Sequence, residues 1–158
     1  MVFRASPKIT LLLASLLCFQ TVSAGHCQHS AFTYRFNELR NYQCCQPIRF
    51  NIPIYNEGGD YNPGTGVFTC RLPGLYYFTF QTQVYNMDLY IKMVHNRHTY
   101  LEWFDRYIAP DEDNASGATL IPLQRGDTVY LEMHQGKNGM WGNAIFTGFA
   151  LHVDGCDQ

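Results

Sequence analysis

Charged side chains make up only 15% of this 158-residue chain, and its lysines and arginines gather into no basic run. The electrostatic footprint of a nucleic-acid binder is therefore missing. Past residue 24 no apolar stretch approaches the roughly 20 residues that a membrane-spanning helix needs. Gly-X-Y repeats, heptad runs and low-complexity tracts are also absent, which removes collagen-like, coiled-coil and disordered readings. Beyond the first 24 residues the only serines are Ser30 and Ser116, and neither stands in a Gly-x-Ser-x-Gly elbow. No Cys-x-x-Cys pair with matching histidines suggests zinc, and no EF-hand pattern suggests the usual calcium loop. The six histidines are scattered, and no Cys–His nucleophile pair can be argued from spacing. These gaps point away from an enzyme.

What is present begins with Arg4 and Lys8, an apolar run from Ile9 to Phe19, and small residues up to Ala24. That is the layout of a secretory signal peptide over residues 1–24. Cleavage after Ala24 leaves Gly25 to Gln158, a 134-residue chain (158 − 24), enough for one domain with its own core. The leader removes two of eleven basic residues, so nine face thirteen acids and the net charge becomes about −4. Cys18 leaves with it. Cys27, Cys44, Cys45, Cys70 and Cys156 remain, an odd count that in an oxidising compartment predicts an interchain bridge or a protected thiol. Cys70 lies in a β-prone run and is expected to be a buried, unreactive thiol. Cys27, in the short segment 25–30, is the best placed to link subunits. Cys44 and Cys45 are neighbours; a bridge between them is strained, so at least one is expected to reach elsewhere, with Cys156 a candidate partner.

Residues 31–158 read as strand after strand. The stretch Tyr61 to Phe80, YNPGTGVFTCRLPGLYYFTF, gives turn, strand, turn, strand. Its last strand, Leu75 to Phe80, carries bulk on both faces, so it is expected to be central and covered above and below, with a second subunit as one source of cover. Tyr76, Tyr77, Phe78 and Phe80 are its core or interface residues. Further strands are expected over 31–36, 47–52, 67–70, 88–95, 98–104, 115–124, 128–134 and 144–153. Asn96-Arg97 makes a hairpin turn, and Pro122 marks an edge or a bulge. Residues 105–114 and the glycine-rich 135–143 read as loops. About ten short strands without a helix predict an all-β sandwich or jelly roll.

Several spaced motifs occur in one register: the 61–80 set, Asp105-x7-Asp113 running into Ala115-Ser116-Gly117, Gly126-Asp127-x-Val129-Tyr130-Leu131, Asn138-Gly139 and Phe146-Thr147-Gly148-Phe149. In these the chain resembles the globular head of the complement C1q family, over roughly Ala31 to Val153. The resemblance implies a ten-stranded jelly roll related to tumour necrosis factor, assembling as a homotrimer or with related chains. It departs from larger members in lacking a collagen-like stalk, so roles that need a stalk are not expected.

The same resemblance implies a calcium site. The loop matches that of the adiponectin and collagen-ten branch, with carboxylates at Asp105 and Asp113 and carbonyl donors at Arg106 and Asp111, a set of oxygens suited to calcium. Asn114-Ala115-Ser116 is an N-glycosylation sequon beside that loop; a glycan on Asn114 and a closely packed apex would compete. The function this implies is a secreted, non-enzymatic binding module whose loops meet a protein receptor, a microbial surface or a matrix carbohydrate. The alternative is a matrix protein built from disulfide-linked trimers.

Overall fold

Alternation of buried and open side chains organises most long strands of the computed structural model, which describes residues 28–36, 44–108 and 113–156. In β1 (Ala31–Phe36) Phe32, Tyr34 and Phe36 are buried and the residues between them are not. β2 (Ile52–Glu57), β3 (Tyr61–Asn62) and β4 (Val67–Thr69) are short. β5 (Gly74–His95) sends Tyr76, Phe78, Phe80, Val84, Leu89, Ile91 and Met93 inward. β6 (His98–Asp105), β7 (Asp113–Leu123) and β8 (Thr128–Val153) complete the chain.

The pairings fall into two layers, and the result is the all-β jelly-roll sandwich that the strand pattern predicts. In the first layer β2 pairs with β1, β1 with residues 144–149 of β8, that half of β8 with the first half of β5, and β5 with β7. In the second, β3 pairs with β4, β4 with residues 128–129 of β8, residues 129–133 of β8 with residues 91–95 of β5, and β5 with β6. β5 and β8 thus run from one layer into the other. Asn86 (φ 64°) and Asn143 (φ 54°) stand in the left-handed region near those crossings, a conformation asparagine tolerates better than most residues.

Those crossings change the strand count. Among the described residues there are eight continuous strands: 75–80 and 88–95 belong to one strand, as do 128–134 and 144–153, while β3 and residues 53–57 of β2 are not among the expected strands. The loop read over 135–143 is strand as well. Gly139 there permits close approach rather than a turn: a Cβ on it would overlap the Met87 carbonyl oxygen, where β5 and β8 cross together. The strand read over 47–52 reduces to a bridge from Pro47 to Glu132 and a hydrogen bond from the Ile48 amide to the Leu131 carbonyl (2.7 Å). Ile48 and Phe50 are buried as their alternation implies, but Pro47 and Pro53 lack amide donors, and the regular ladder starts at Ile52.

Other expectations hold. β5 is an interior strand of the first layer, with β8 on one side and β7 on the other, and among the described residues β7 pairs with β5 alone, which makes Pro122 an edge residue. Asn96 and Arg97 both have positive φ (49° and 67°), the hairpin geometry whose twist suits the flanking strands. Asn96 also ties that hairpin to the next turn, donating to Asp127 Oδ1 (2.9 Å) while its own Oδ1 accepts from the Thr128 amide (2.9 Å).

The core is aromatic. Phe32 stacks on Tyr61 (4.7 Å between centroids) and Phe68 (5.6 Å) and meets Phe146 edge-on (5.1 Å). Such pairs add about 0.5–1.5 kcal/mol each beyond their area. Tyr76, Phe78 and Phe80 all belong to this core, at 0%, 0% and 2% exposure, so three of the four residues assigned to core or interface are core. Tyr77 points the other way, onto the outer face of the first layer.

Candidate recognition site

Three stretches meet where β5 crosses between layers: residues 85–88, residues 105–108 with Asp113, and residues 138–143. The register puts them together. Val84 pairs with Asp113, and Leu89 pairs with both Asp105 and Asn138. The Tyr107 amide donates to Asp88 Oδ1 (3.1 Å), which fixes the start of the 106–112 connection.

Two kinds of side chain gather at this tip. Tyr85 meets Tyr107 edge-on at 5.9 Å and Trp141 at 5.0 Å, a three-ring cluster drawn from all three stretches. Ile108 (71% exposed) and Met87 (44%) add open apolar surface. The other kind is carboxylate. Burial, then the charge of Asp113, push the Asp105 carboxyl above its usual range; the Arg106 amide partly offsets this, and Asp88 adds to it. Asp113 Oδ1 accepts from the Asn114 amide at 2.7 Å. A cavity of about 280 Å³ opens beside them, lined by Leu89, Trp103, Phe104, Asp105, Asn114, Ala115 and Ser116.

Of the calcium set, Asp105 and Asp113 are therefore neighbours, with the Arg106 backbone at hand, whereas Asp111 lies outside the described residues. Mutual repulsion between the two carboxylates is what a cation relieves, so the donors fit a cation in kind. Among the described residues no three His, Cys, Asp or Glu side chains converge on one metal position. A bound ion would thus draw on backbone carbonyls, which calcium accepts readily.

Asn114 and Ser116 are exposed on β7, opposite Gln83 and Gln81 of β5. Cys70 is 1% exposed, its Sγ 3.2 Å from the Leu72 carbonyl oxygen, and burial raises its thiol pKa, as the buried-thiol reading requires. Cys44 and Cys45 are not bridged to each other. Cys45 is exposed, in the left-handed region (φ 67°), and a hydrogen bond with Cys44 raises its thiol pKa. Cys27 lies outside the described residues, as does the leader over 1–24. Trp103 is partly buried against Phe80 (5.1 Å), a packing role.

Sequence reading missed the aromatic tip, since Tyr85, Tyr107 and Trp141 are far apart along the chain and only the β5–β8 crossing unites them. It also missed the outer face of the first layer. There Tyr77 packs on Phe149 (5.4 Å), with Leu120 (45% exposed) and Leu151 (46%) open beside them.

The fold defines the class: a jelly-roll sandwich with an open apolar layer face and side chains from three stretches gathered at one end. The C1q domain family model matches residues 31–151, and the chain belongs to that family. It is 42% identical over 114 residues to mouse complement C1q tumor necrosis factor-related protein 7, covering 68% of this chain and 39% of that protein. It is 39% identical over 114 residues to human complement C1q tumor necrosis factor-related protein 2, covering 68% and 40%. The chain thus spans about two-fifths of the length of these relatives. Among solved structures, the globular domain of zebrafish complement 1qA superposes with a TM-score of 0.71 at 28% identity, covering 79% of this chain and 99% of that one. Murine APRIL at pH 5.0 shares the fold at 10% identity, with a TM-score of 0.61 over 78% of this chain and 100% of that one.

Proposed function

We propose that this chain is a secreted, non-enzymatic C1q-like module that assembles as a trimer and binds a receptor, microbial surface or matrix ligand through its tip. The observation that carries the reading is the meeting of Tyr85, Tyr107 and Trp141 with Asp88, Asp105 and Asp113 at one end of the sandwich. Aromatic side chains that become buried on binding dominate the energetics of protein recognition. Secretion is supported by the leader-like residues 1–24 and by family membership.

Trimerisation is supported by the outer face of the first layer. Tyr77, Phe149, Leu120 and Leu151 form an apolar surface on a family-typical fold, and covering it with further copies of the chain removes that surface from water. Three copies also multiply a weak tip site into avid binding of a repetitive target. Calcium is the proposed tip cofactor, held by the Asp105 and Asp113 carboxylates with the Arg106 and Asp111 carbonyls; when bound it neutralises the carboxylates and stiffens the loops.

Capture from native fluid tests the reading. The tagged secreted protein is expected to retain a partner that Trp141→Ala and Asp105→Asn release, with both variants still folded and assembled. Equal retention by wild type and both tip variants contradicts recognition through the tip.

A further inference from the structure

The alternation of β7 separates its residues cleanly. Gly117, Ile121 and Leu123 are buried towards the core, while Asn114, Ser116, Leu120 and Pro122 are exposed on the other side. The sequon asparagine and its serine therefore share the outer face of the first layer with Leu120. Across the ladder Asn114 pairs with Gln83, Ser116 with Gln81 and Leu120 with Tyr77. The asparagine thus sits on the face proposed above for self-association, not on the solvent side of the tip. Asn114 and Leu120 are six residues apart on one strand, roughly 20 Å at 3.3 Å per residue. A branched oligosaccharide on Asn114 easily reaches across that span.

The site is also shaped to keep a sugar on the face. Gln81, Gln83 and Asn143 supply side-chain amides, with Thr82, Asn114, Ser116 and Ile145, around an open hollow of about 320 Å³. Amide donors and acceptors beside an aliphatic floor suit the hydroxyls and acetamido group of an N-acetylglucosamine. A polar hollow on the same face as the apolar patch of Tyr77, Phe149 and Leu120 is a poorer contact for a second protein copy than that patch, but a good seat for a glycan.

We propose that Asn114 accepts an N-linked glycan on part of the secreted chains, that its first sugar occupies this hollow, and that chains bearing it are kept out of the trimer of the proposed function. Glycosylation then sets the assembly state: sugar-bearing chains stay single and sugar-free chains associate. The inference rests on the self-association reading of that face. Because the glycan is attached to the nascent chain, the choice is made once per molecule and is not reversed by dilution.

The test uses the full chain secreted from cells competent for N-glycosylation. Secreted protein is split on a mannose-binding lectin, and both fractions, together with Asn114→Gln and Ser116→Ala, are followed by sedimentation velocity. The Ser116→Ala variant keeps the native asparagine while abolishing the acceptor. The expected result is a lectin-bound fraction at the mass of one chain plus glycan, which shifts to the trimer on enzymatic removal of the sugar. Both variants should sediment as trimers outright. Sugar-bearing chains inside trimers, or an Asn114 that carries no glycan, overturn the proposal while leaving self-association standing. If the sugar-free variants also remain single chains, the self-association reading fails and the proposal fails with it.

Discussion

Asp105 is the side chain in which the electrostatics of the tip are concentrated. Folding raises its proton affinity through burial and the nearby Asp113 charge. A carboxyl that binds its proton more tightly when folded costs stability at neutral pH. That cost is relieved as pH falls from its raised value towards the ordinary carboxylate value of 3.8. Asp105→Asn removes the cost, so in calcium-free buffer the variant is expected to melt slightly above wild type. The gain should stay under about 1 kcal/mol because the site is open to solvent. Added calcium should then raise the melting temperature of wild type and leave the variant unchanged, since a ligand bound only by the folded form stabilises it by mass action. An equal response in both removes the metal. At the same scale, Cys45 is expected to react with a maleimide under native conditions while Cys70 reacts only after unfolding, as read by mass spectrometry of labelled peptides. The Cys70 result follows from its place in an alternating apolar run, a pattern legible in sequence. The exposure of Cys45 is not, because it depends on a left-handed backbone conformation at that residue.

β5 carries the fold, and it shows why part of the architecture was readable and part was not. The aromatic run Leu75 to Phe80 announces a central strand because bulk on both faces needs cover on both. The structure resolves that bulk into Tyr76, Phe78 and Phe80 in the core and Tyr77 outside, a sorting that follows from strand alternation once register is known. Continuity through residues 81–87 was hidden, because it rests on the pairing of residues 81–84 with both β7 and β8 and on a left-handed Asn86 at the crossing, none of which is local in sequence. Gly139 misled for the same reason: its role is set by a partner strand distant in sequence. Gly148 in β8 offers a clean check. A Cβ there would stand 2.5 Å from Phe32 Cε1 and 2.6 Å from Phe78 Cδ1, both core rings with little room to retreat. Gly148→Ala is therefore expected to cost about 1–3 kcal/mol through overpacking. Chemical denaturation reads this directly, and a midpoint equal to wild type would mean that the layers are less closely packed than described.

For the whole molecule, the two faces of β5 make separable demands. Phe78→Asp buries an unpaired charge among Phe32, Phe68 and Phe146 and is expected to prevent folding altogether. Tyr77→Glu places its charge on the outer face beside Phe149, so the sandwich should fold with native circular dichroism yet fail to associate. The pair distinguishes an assembly surface from a core position next to it in sequence. Apolar surface left open at Leu120 and Leu151, on a chain of the C1q domain family, is the physical reason to expect association at all. Sedimentation equilibrium of the secreted chain freed of Asn114-linked sugar measures that most directly. A mass of three chains, reduced to one by Tyr77→Glu, is the predicted result; a single-chain mass across the accessible concentration range contradicts it.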